Sequence, residues 1–392
     1  MRGPLAHRDF RLVLTAWGLS ALGDFLAVVA LTLRIQEDTG SGLAVSALLI
    51  AAALPVVLLN PLGGWLVDRF ETRTVLAAVA AAQAVVAVAL GLVEGAAITI
   101  ALVFVLNAGL TVERPALFAL IPRIVGEEQA PRAYAWFEAV KYATITLGFV
   151  LGGVLTGAFG SGTALLVDAG TFAVTALVAL ALRTRRTPAP RGEPEERAMT
   201  AGLRLIASDL VLRSMVIVLA ASIVFGGIDN VANVFFAKDT LDAGDAGYGL
   251  LAAAWGVGMI GGATAAGRRV AARTAAAAVT GAVALMGAAI ALVSISPVLL
   301  VAVMFMVAGG LGNGLSNVAM RVLLQSRVAD ALRGRVYSAY QGALTVADFV
   351  ALAAGGALVE LIGPRNTLAL AGVGCLVASL IGLPAVRRAR ER

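Results

Sequence analysis

Three aspartates stand inside long uncharged stretches of this chain. Asp24 lies midway along the run from Leu12 to Leu33, and Asp229 and Asp348 occupy runs of the same kind. None has a basic residue three or four positions away, where a helix would bring one alongside. An ionised group deep in a membrane helix costs at least about 2.5–3.5 kcal/mol. A carboxylate escapes that cost by taking up a proton, so such a group can load and release protons near neutral pH. The chemistry on offer is proton coupling. Polar residues also recur at helical spacing: Ser222, Gly226, Asp229, Asn230 and Asn233; Asn107, Thr111 and Arg114 beside Glu113; Asn313, Ser316, Asn317 and Arg321; Tyr337, Gln341, Thr345 and Asp348; Tyr134, Glu138, Lys141 and Tyr142. Each set falls on one side of its helix.

Other chemistries lack the residues they need. The only histidine is His7 and the only cysteine Cys375, at opposite ends of the chain, which excludes disulfides, zinc sites and Cys/His catalysis. No Gly-x-x-x-x-Gly-Lys-Ser/Thr phosphate loop is present, so an ATP-driven pump is excluded too. The expectation is a chain that is not an enzyme and uses no cofactor and no metal. A net charge of +6 raises the question of nucleic acid, but the basic residues are scattered among apolar stretches and form no stripe interleaved with aromatics. No nucleic-acid partner is expected.

The elements that hold these residues follow from composition. Of 392 residues 60% are hydrophobic and 14% charged, with mean hydropathy +0.92. A soluble domain carries roughly 25% charged residues, so the solvent of this chain is a lipid bilayer. Apolar runs separated by charge clusters predict an all-α integral membrane protein of twelve spans, near 12–33, 43–66, 74–93, 97–120, 134–157, 162–182, 213–236, 246–266, 275–294, 298–320, 336–358 and 365–384. The first is too long for a signal peptide and carries Asp24 at its middle. A Pro- and charge-rich linker with an interfacial helix, 184–210, separates a bundle at 1–183 from one at 211–392. Arg and Lys concentrate on one side: the N-terminus, Arg69, Arg73, Arg123, Arg132, the linker, Arg268, Arg269, Arg273, Arg327, Arg333, Arg335 and the tail. The other side has only Arg34, Lys238 and Arg365. The positive-inside rule makes both termini cytoplasmic.

Shifting the chain by 203 residues lays Arg132–Gly153 on Arg335–Gly356, matching Arg132, Tyr134, Gly152 and Gly153 with Arg335, Tyr337, Gly355 and Gly356. Asp24 falls near Asp229 at a slightly different offset. Two parallel six-helix repeats follow, a layout of many secondary transporters.

Between the second and third spans stands GGWLVDRFETR. It resembles the signature of the major facilitator superfamily, Gly-x-x-x-Asp-Arg/Lys-x-Gly-Arg-Arg/Lys, through Gly64, Asp68, Arg69 and Arg73. It departs at Glu71, where the family has Gly, and at Thr72. The second copy, GGATAAGRRVAAR, keeps Gly262, Arg268 and Arg269 but no Asp. HRDFRLVLTAWGLSALGD, RPALFALIPRIV and LRGRVYS resemble the branch that holds the enterobactin exporter and the macrolide-efflux proteins.

The resemblance implies that Gly64, Asp68, Arg69 and Arg73 form a gating loop, Asp68 meeting the start of span 11 near Arg333 to Val336. Arg69 and Arg73 also read as positive-inside anchors. It implies a central cavity lined by spans 1, 4, 7 and 10, with 5 and 11 contributing. Asn107, Glu113, Arg114, Glu138, Asn233, Asn313, Asn317 and Gln341 are the substrate-cavity candidates; Asp24, Asp229 and Asp348 are the candidates for proton coupling. Glu138 and Lys141 also read as a self-neutralising pair, Glu113 and Arg114 as interfacial, and Asp168 as structural. With aromatics at 6%, a cavity short of stacking surfaces and a narrow substrate range are expected.

The function implied is a monomeric, proton-coupled antiporter of the bacterial inner membrane that exports small hydrophobic compounds of drug or siderophore type. A lipid, lysolipid or metabolite carrier of the same fold and a non-transporting receptor are the alternatives. The charge asymmetry fixes a testable topology: reporters fused after Arg186 and at the C-terminus should report cytoplasm, and one near Asp242 the outside. One reversed reporter breaks the twelve-span arrangement.

Overall fold

A computed structural model describes residues 3–185 and 196–390, and among these the chain forms helices and no strand. The helices are α1 (Arg8–Thr39), α2 (Gly42–Arg69), α3 (Thr72–Leu92), α4 (Ala96–Ala108), α5 (Leu110–Val125), α6 (Ala130–Ala181), α7 (Glu196–Ser208), α8 (Leu210–Gly226), α9 (Asp229–Phe235), α10 (Gly244–Arg269), α11 (Ala275–Ser294), α12 (Leu299–Arg327), α13 (Asp330–Ile381) and α14 (Leu383–Arg390). A π-turn at Phe236–Thr240 extends α9.

Ten stretches among the described residues are long and apolar enough to cross a membrane. Two contain α6 and α13, each 52 residues long. An unbroken helix of that length would measure about 78 Å, more than twice a hydrocarbon core of about 30 Å. Both break at a glycine, Gly160 (φ 79°, ψ 159°) and Gly363 (φ 77°, ψ 163°), in backbone that L-residues rarely adopt. Each therefore supplies two spans, and the total is the expected twelve. The two glycines are 203 residues apart, the same shift that aligns the repeat. Several helices run beyond the apolar stretches, as in α1 and α12, because charged first and last turns stay helical outside the hydrocarbon. Helix α7 lies in the linker where an interfacial helix is expected; residues 186–195 of that linker lie outside the described residues.

The chain divides into two compact units. In the first, α1 and α3 pack along α6 around Phe10, Leu120, Ile121, Phe137 and Leu182. In the second, α12 lies between α10 and α11, and α13 packs on α8, α9 and α11 around Leu212, Met215, Met320, Leu323 and Tyr340. Ser41–Ser46, the beginning of α2 included, groups with the second unit.

Lipid tails are as apolar as leucine, so helices associate here through close packing and interhelical hydrogen bonds. The α10–α12 seam shows this. Gly258 and Gly262 lie against the carbonyls of Val307 and Leu311, and Gly310 and Gly314 against those of Trp255 and Met259. Many hydroxyls in the spans bond back to their own helix: Thr32 donates to the Val28 carbonyl, and Thr264 to that of Ile260, each at 2.7 Å. At the head of α8, Asp209 accepts the amides of Val211 (2.8 Å) and Leu212 (3.0 Å) and pairs with Arg327 at 3.1 Å. Burial pushes its carboxyl up, but these amides and the guanidinium together hold it below the usual carboxylate range.

The packing also corrects the register of the repeat. Gly152 of α6 meets Leu26 and Val29 of α1, and Gly355 of α13 meets Ile228 and Val231. The two glycines differ by 203 and their partners by 202, so Asp24 is level with Gly226. Asp229 stands three residues further along, so the two aspartates are not equivalent.

The seam generates a prediction. Gly262→Leu should lower stability by about 1–3 kcal/mol or more, because the added side chain meets backbone that has no room to yield. Gly267→Leu, on the same helix with open space around it, should be neutral. Thermal unfolding in detergent separates them; equal melting temperatures would contradict the packing.

Candidate functional site

The first unit encloses a cavity of about 390 Å³ with a mostly apolar wall. Leu48, Leu49 and Ala52 of α2 and Val103 and Leu106 of α4 supply much of the apolar surface. The polar groups come from three directions: Asp24 from α1, Asn107, Glu113 and Arg114 from α4 and α5, and Glu138 and Lys141 from α6.

Local sequence explains how they converge. The fourth span is interrupted at Gly109, where the Gln83 side chain of α3 fills the space a Cβ would need and donates to the Leu106 carbonyl at 3.2 Å. The helix resumes at Leu110. Asn107 lies on one side of the break, with Glu113 and Arg114 on the other, and all three reach the cavity. The Glu113 side chain is buried, whereas Arg114 is open to the cavity. Lys141 lies 3.8 Å from Glu138, a loose pair with both side chains nearly half exposed. Three carboxyl groups and two cations therefore share a small apolar chamber. A ligand entering it meets oily walls and a few charges whose balance changes by one when a carboxyl takes up a proton.

Five residues expected at the site, Asp24, Asn107, Glu113, Arg114 and Glu138, are thus brought together. The expectation of few stacking surfaces is overturned: Trp17, Phe25, Phe118 and Phe137 all line the cavity. Trp17 and Phe137 have ring centroids 5.0 Å apart, and Phe118 stacks on Tyr134 at 5.2 Å. The low overall aromatic content misled because the aromatics are concentrated here. Trp17 stands seven residues before Asp24, two turns along one helix face, and that spacing was the available signal.

The remaining candidates lie outside this lining. In the second unit, Asp229 is buried and accepts hydrogen bonds from the Asn233 side chain and the Asn230 amide. Asn317 donates to the Asn313 side chain at 2.7 Å. Asp348 is half-buried beside Gly227, and Gln341 is exposed.

The charged turn between α2 and α3 is tied to its own unit. Gly64, Asp68 and Arg69 belong to the end of α2, where the Arg69 guanidinium lies over the Trp65 ring at 5.4 Å. Arg73 donates to the Leu182 carbonyl at 2.9 Å. Glu71 accepts from Thr74 at 3.0 Å and pairs with Arg185 at 3.6 Å. Asp9, which had not stood out in the sequence, accepts the amides of Arg183 and Thr184 and the Thr184 hydroxyl, fixing the same end of α6.

Residues 13–352 match the sequence profile of the Major Facilitator Superfamily. The chain is 26% identical over 385 residues to the MFS-type transporter YfiS of Bacillus subtilis (strain 168), covering 95% of this chain and 91% of that protein. It is 27% identical over 412 residues to the enterobactin exporter EntS of Escherichia coli O139:H28 (strain E24377A / ETEC), covering 98% and 94%. Among solved structures, an inward-facing, unoccupied bacterial homologue of the human lysosomal transporter Spinster superposes with TM-score 0.73 at 15% identity, covering 97% of each chain. A bacterial homologue of the iron transporter ferroportin, inward-facing, gives TM-score 0.73 at 13% identity over 97% and 98%.

The aromatic wall can be tested. Phe137 is 8% exposed and Phe118 57%. Phe137→Ala should cost about 3–5 kcal/mol, and Phe118→Ala less than about 1 kcal/mol, read from thermal unfolding in detergent. Equal losses would contradict the packing of this wall.

Proposed function

This chain belongs to the major facilitator superfamily and is a multi-pass membrane transporter, and from that premise we propose that it is a proton-coupled exporter of small, mostly hydrophobic organic molecules. The observation that carries the reading is Asp24: a carboxyl in the middle of a membrane helix, in the wall of a cavity lined with aromatics. Similarity to enterobactin exporters across nearly the full length of both chains supports outward transport and a substrate of drug or siderophore type.

The transport cycle follows from the charges. With Asp24 ionised, the chamber holds a negative charge that a proton or a ligand's positive edge can neutralise. A proton arriving from outside discharges the carboxyl and weakens its hold on the ligand. Its release to the inside restores the starting state. Each inward charge supplies about 2.3 kcal/mol per 100 mV of membrane potential, in addition to the pH gradient. Asp229 and Asp348 in the second unit are further proton-coupling groups, and Asn233, Asn313, Asn317 and Gln341 further substrate contacts. The α2–α3 turn serves as a gate through Asp68, while Arg73 and Glu71 hold it to the end of α6. The protein works as a monomer in the inner membrane of a bacterium with both termini in the cytoplasm.

In reconstituted vesicles, Asp24→Asn should abolish uphill efflux driven by a proton gradient while downhill exchange survives. Asp229→Asn should do the same, and Asp348→Asn more weakly because that residue is only half-buried. Full uphill transport by the triple variant would remove proton coupling through these residues.

A further inference from the structure

Behind Asp24 lies a second carboxyl that the transport reading leaves unused. Asp168, in the second span of α6, is fully buried. It packs against Gly23, the residue next to Asp24. A methyl group at position 23 would collide with the Asp168 carboxyl oxygen Oδ1 and lie 2.6 Å from the Thr171 hydroxyl. Glycine at that position therefore lets a carboxyl press against the backbone that carries Asp24.

The two oxygens of Asp168 are not alike. The Thr171 hydroxyl lies 3.2 Å from Oδ1 and shares its proton with the Asp168 backbone carbonyl at 2.7 Å, whereas Oδ2 is buried with no hydrogen-bond partner among the described residues. No cation is paired with Asp168 among the described residues. A buried carboxylate with one bare oxygen and no counter-charge is costly. A proton on Oδ2 removes the charge and leaves Oδ1 free to accept from Thr171. The surroundings supply no alternative neutralisation. From α1 the ionisable neighbour is Asp24; Glu113 and Arg114 of α5 act on Asp24 in turn. Helix α3, which also packs on α6, has no ionisable residue after Arg73.

We propose that Asp168 holds a proton and forms, with Asp24, a single two-carboxyl unit in which the charge of one residue governs that of the other. Two carboxyl groups so placed, one packed on the residue next to the other, do not readily ionise together. Asp24 lines the cavity and Asp168 does not, so Asp24 exchanges protons with the chamber while Asp168 sets the conditions of that exchange from behind. Asp168 is a positioning residue for the proton, acting through Asp24. The part of this inference that concerns transport rests on the reading of Asp24 as a coupling group.

The test needs no substrate. The full chain is reconstituted in phosphatidylethanolamine–phosphatidylglycerol liposomes, and infrared difference spectra follow the carbonyl bands of protonated carboxyls as pH is raised. Bands are assigned by their loss in Asp24→Asn and Asp168→Asn. In the wild type both carboxyls should titrate, with steps more widely separated than the midpoints of the two single variants by about one pH unit or more. Thr171→Val should keep the Asp168 band and move its frequency, because the hydroxyl beside Oδ1 is removed. That variant retains the carboxyl and carries the test if Asp168→Asn fails to fold. Wild-type steps that superpose the single-variant titrations would overturn the pairing. Absence of any band lost with Asp168 or moved by Thr171→Val would overturn the proton on Asp168. Neither spectral outcome depends on transport, so failure here is distinguishable from failure of Asp24→Asn to abolish uphill efflux.

Discussion

A charge or an unbonded polar group surrounded by hydrocarbon has no water to answer it, and the rest of this structure is organised around that constraint. Many hydroxyls turn back onto their own helix. Arg34, half-buried near the end of α1, is absorbed by the Ser161 hydroxyl and the Leu90 carbonyl. Lys238 and Asp245 close on each other at 2.9 Å. Several of the groups not absorbed in this way, Asp24, Glu113 and Arg114 among them, line the cavity, where space for a guest replaces the missing partner. The chemistry of the chain is the residue left after local satisfaction has done what it can.

That division explains what could be read from the sequence. The spans were legible because the energy of placing apolar side chains in lipid is local and additive along the chain. The breaks near residues 160 and 363 fell where apolar runs paused, and both proved to be glycines at positive φ. Asp24, Asn107, Glu113, Arg114 and Glu138 were legible as polar residues on helical faces, and they do share one chamber. The aromatic wall was hidden because composition averages over the chain. The setting of Asp168 was hidden because it depends on Gly23, 145 positions away, and on which oxygen Thr171 reaches. Pairwise tertiary facts of this kind leave no periodicity.

The cluster GGWLVDRFETR has two parts with different duties. Glu71 and Arg73 are engaged with the residues that end and follow α6, so the turn is fastened to the first unit. Glu71, a departure from the family pattern, is one of these ties, meeting Arg185 and Thr74. Asp68 lies one turn earlier, at the end of α2, on a base that its neighbours have made firm. The gate role proposed for Asp68 calls for such a base, because a charge on a loose loop would adjust to its surroundings and transmit nothing.

The single-glycine joints at Gly160 and Gly363 bear on how the chain is made. At each joint a single residue leaves helical geometry, so the second crossing of the pair begins where the first one ends. As the chain leaves the ribosome, a joint this short brings the second crossing of each pair into the bilayer directly beside the first, as a hairpin. Each half of the protein would finish its synthesis with one such event, and the biogenesis of the chain inherits the duplication that its fold displays.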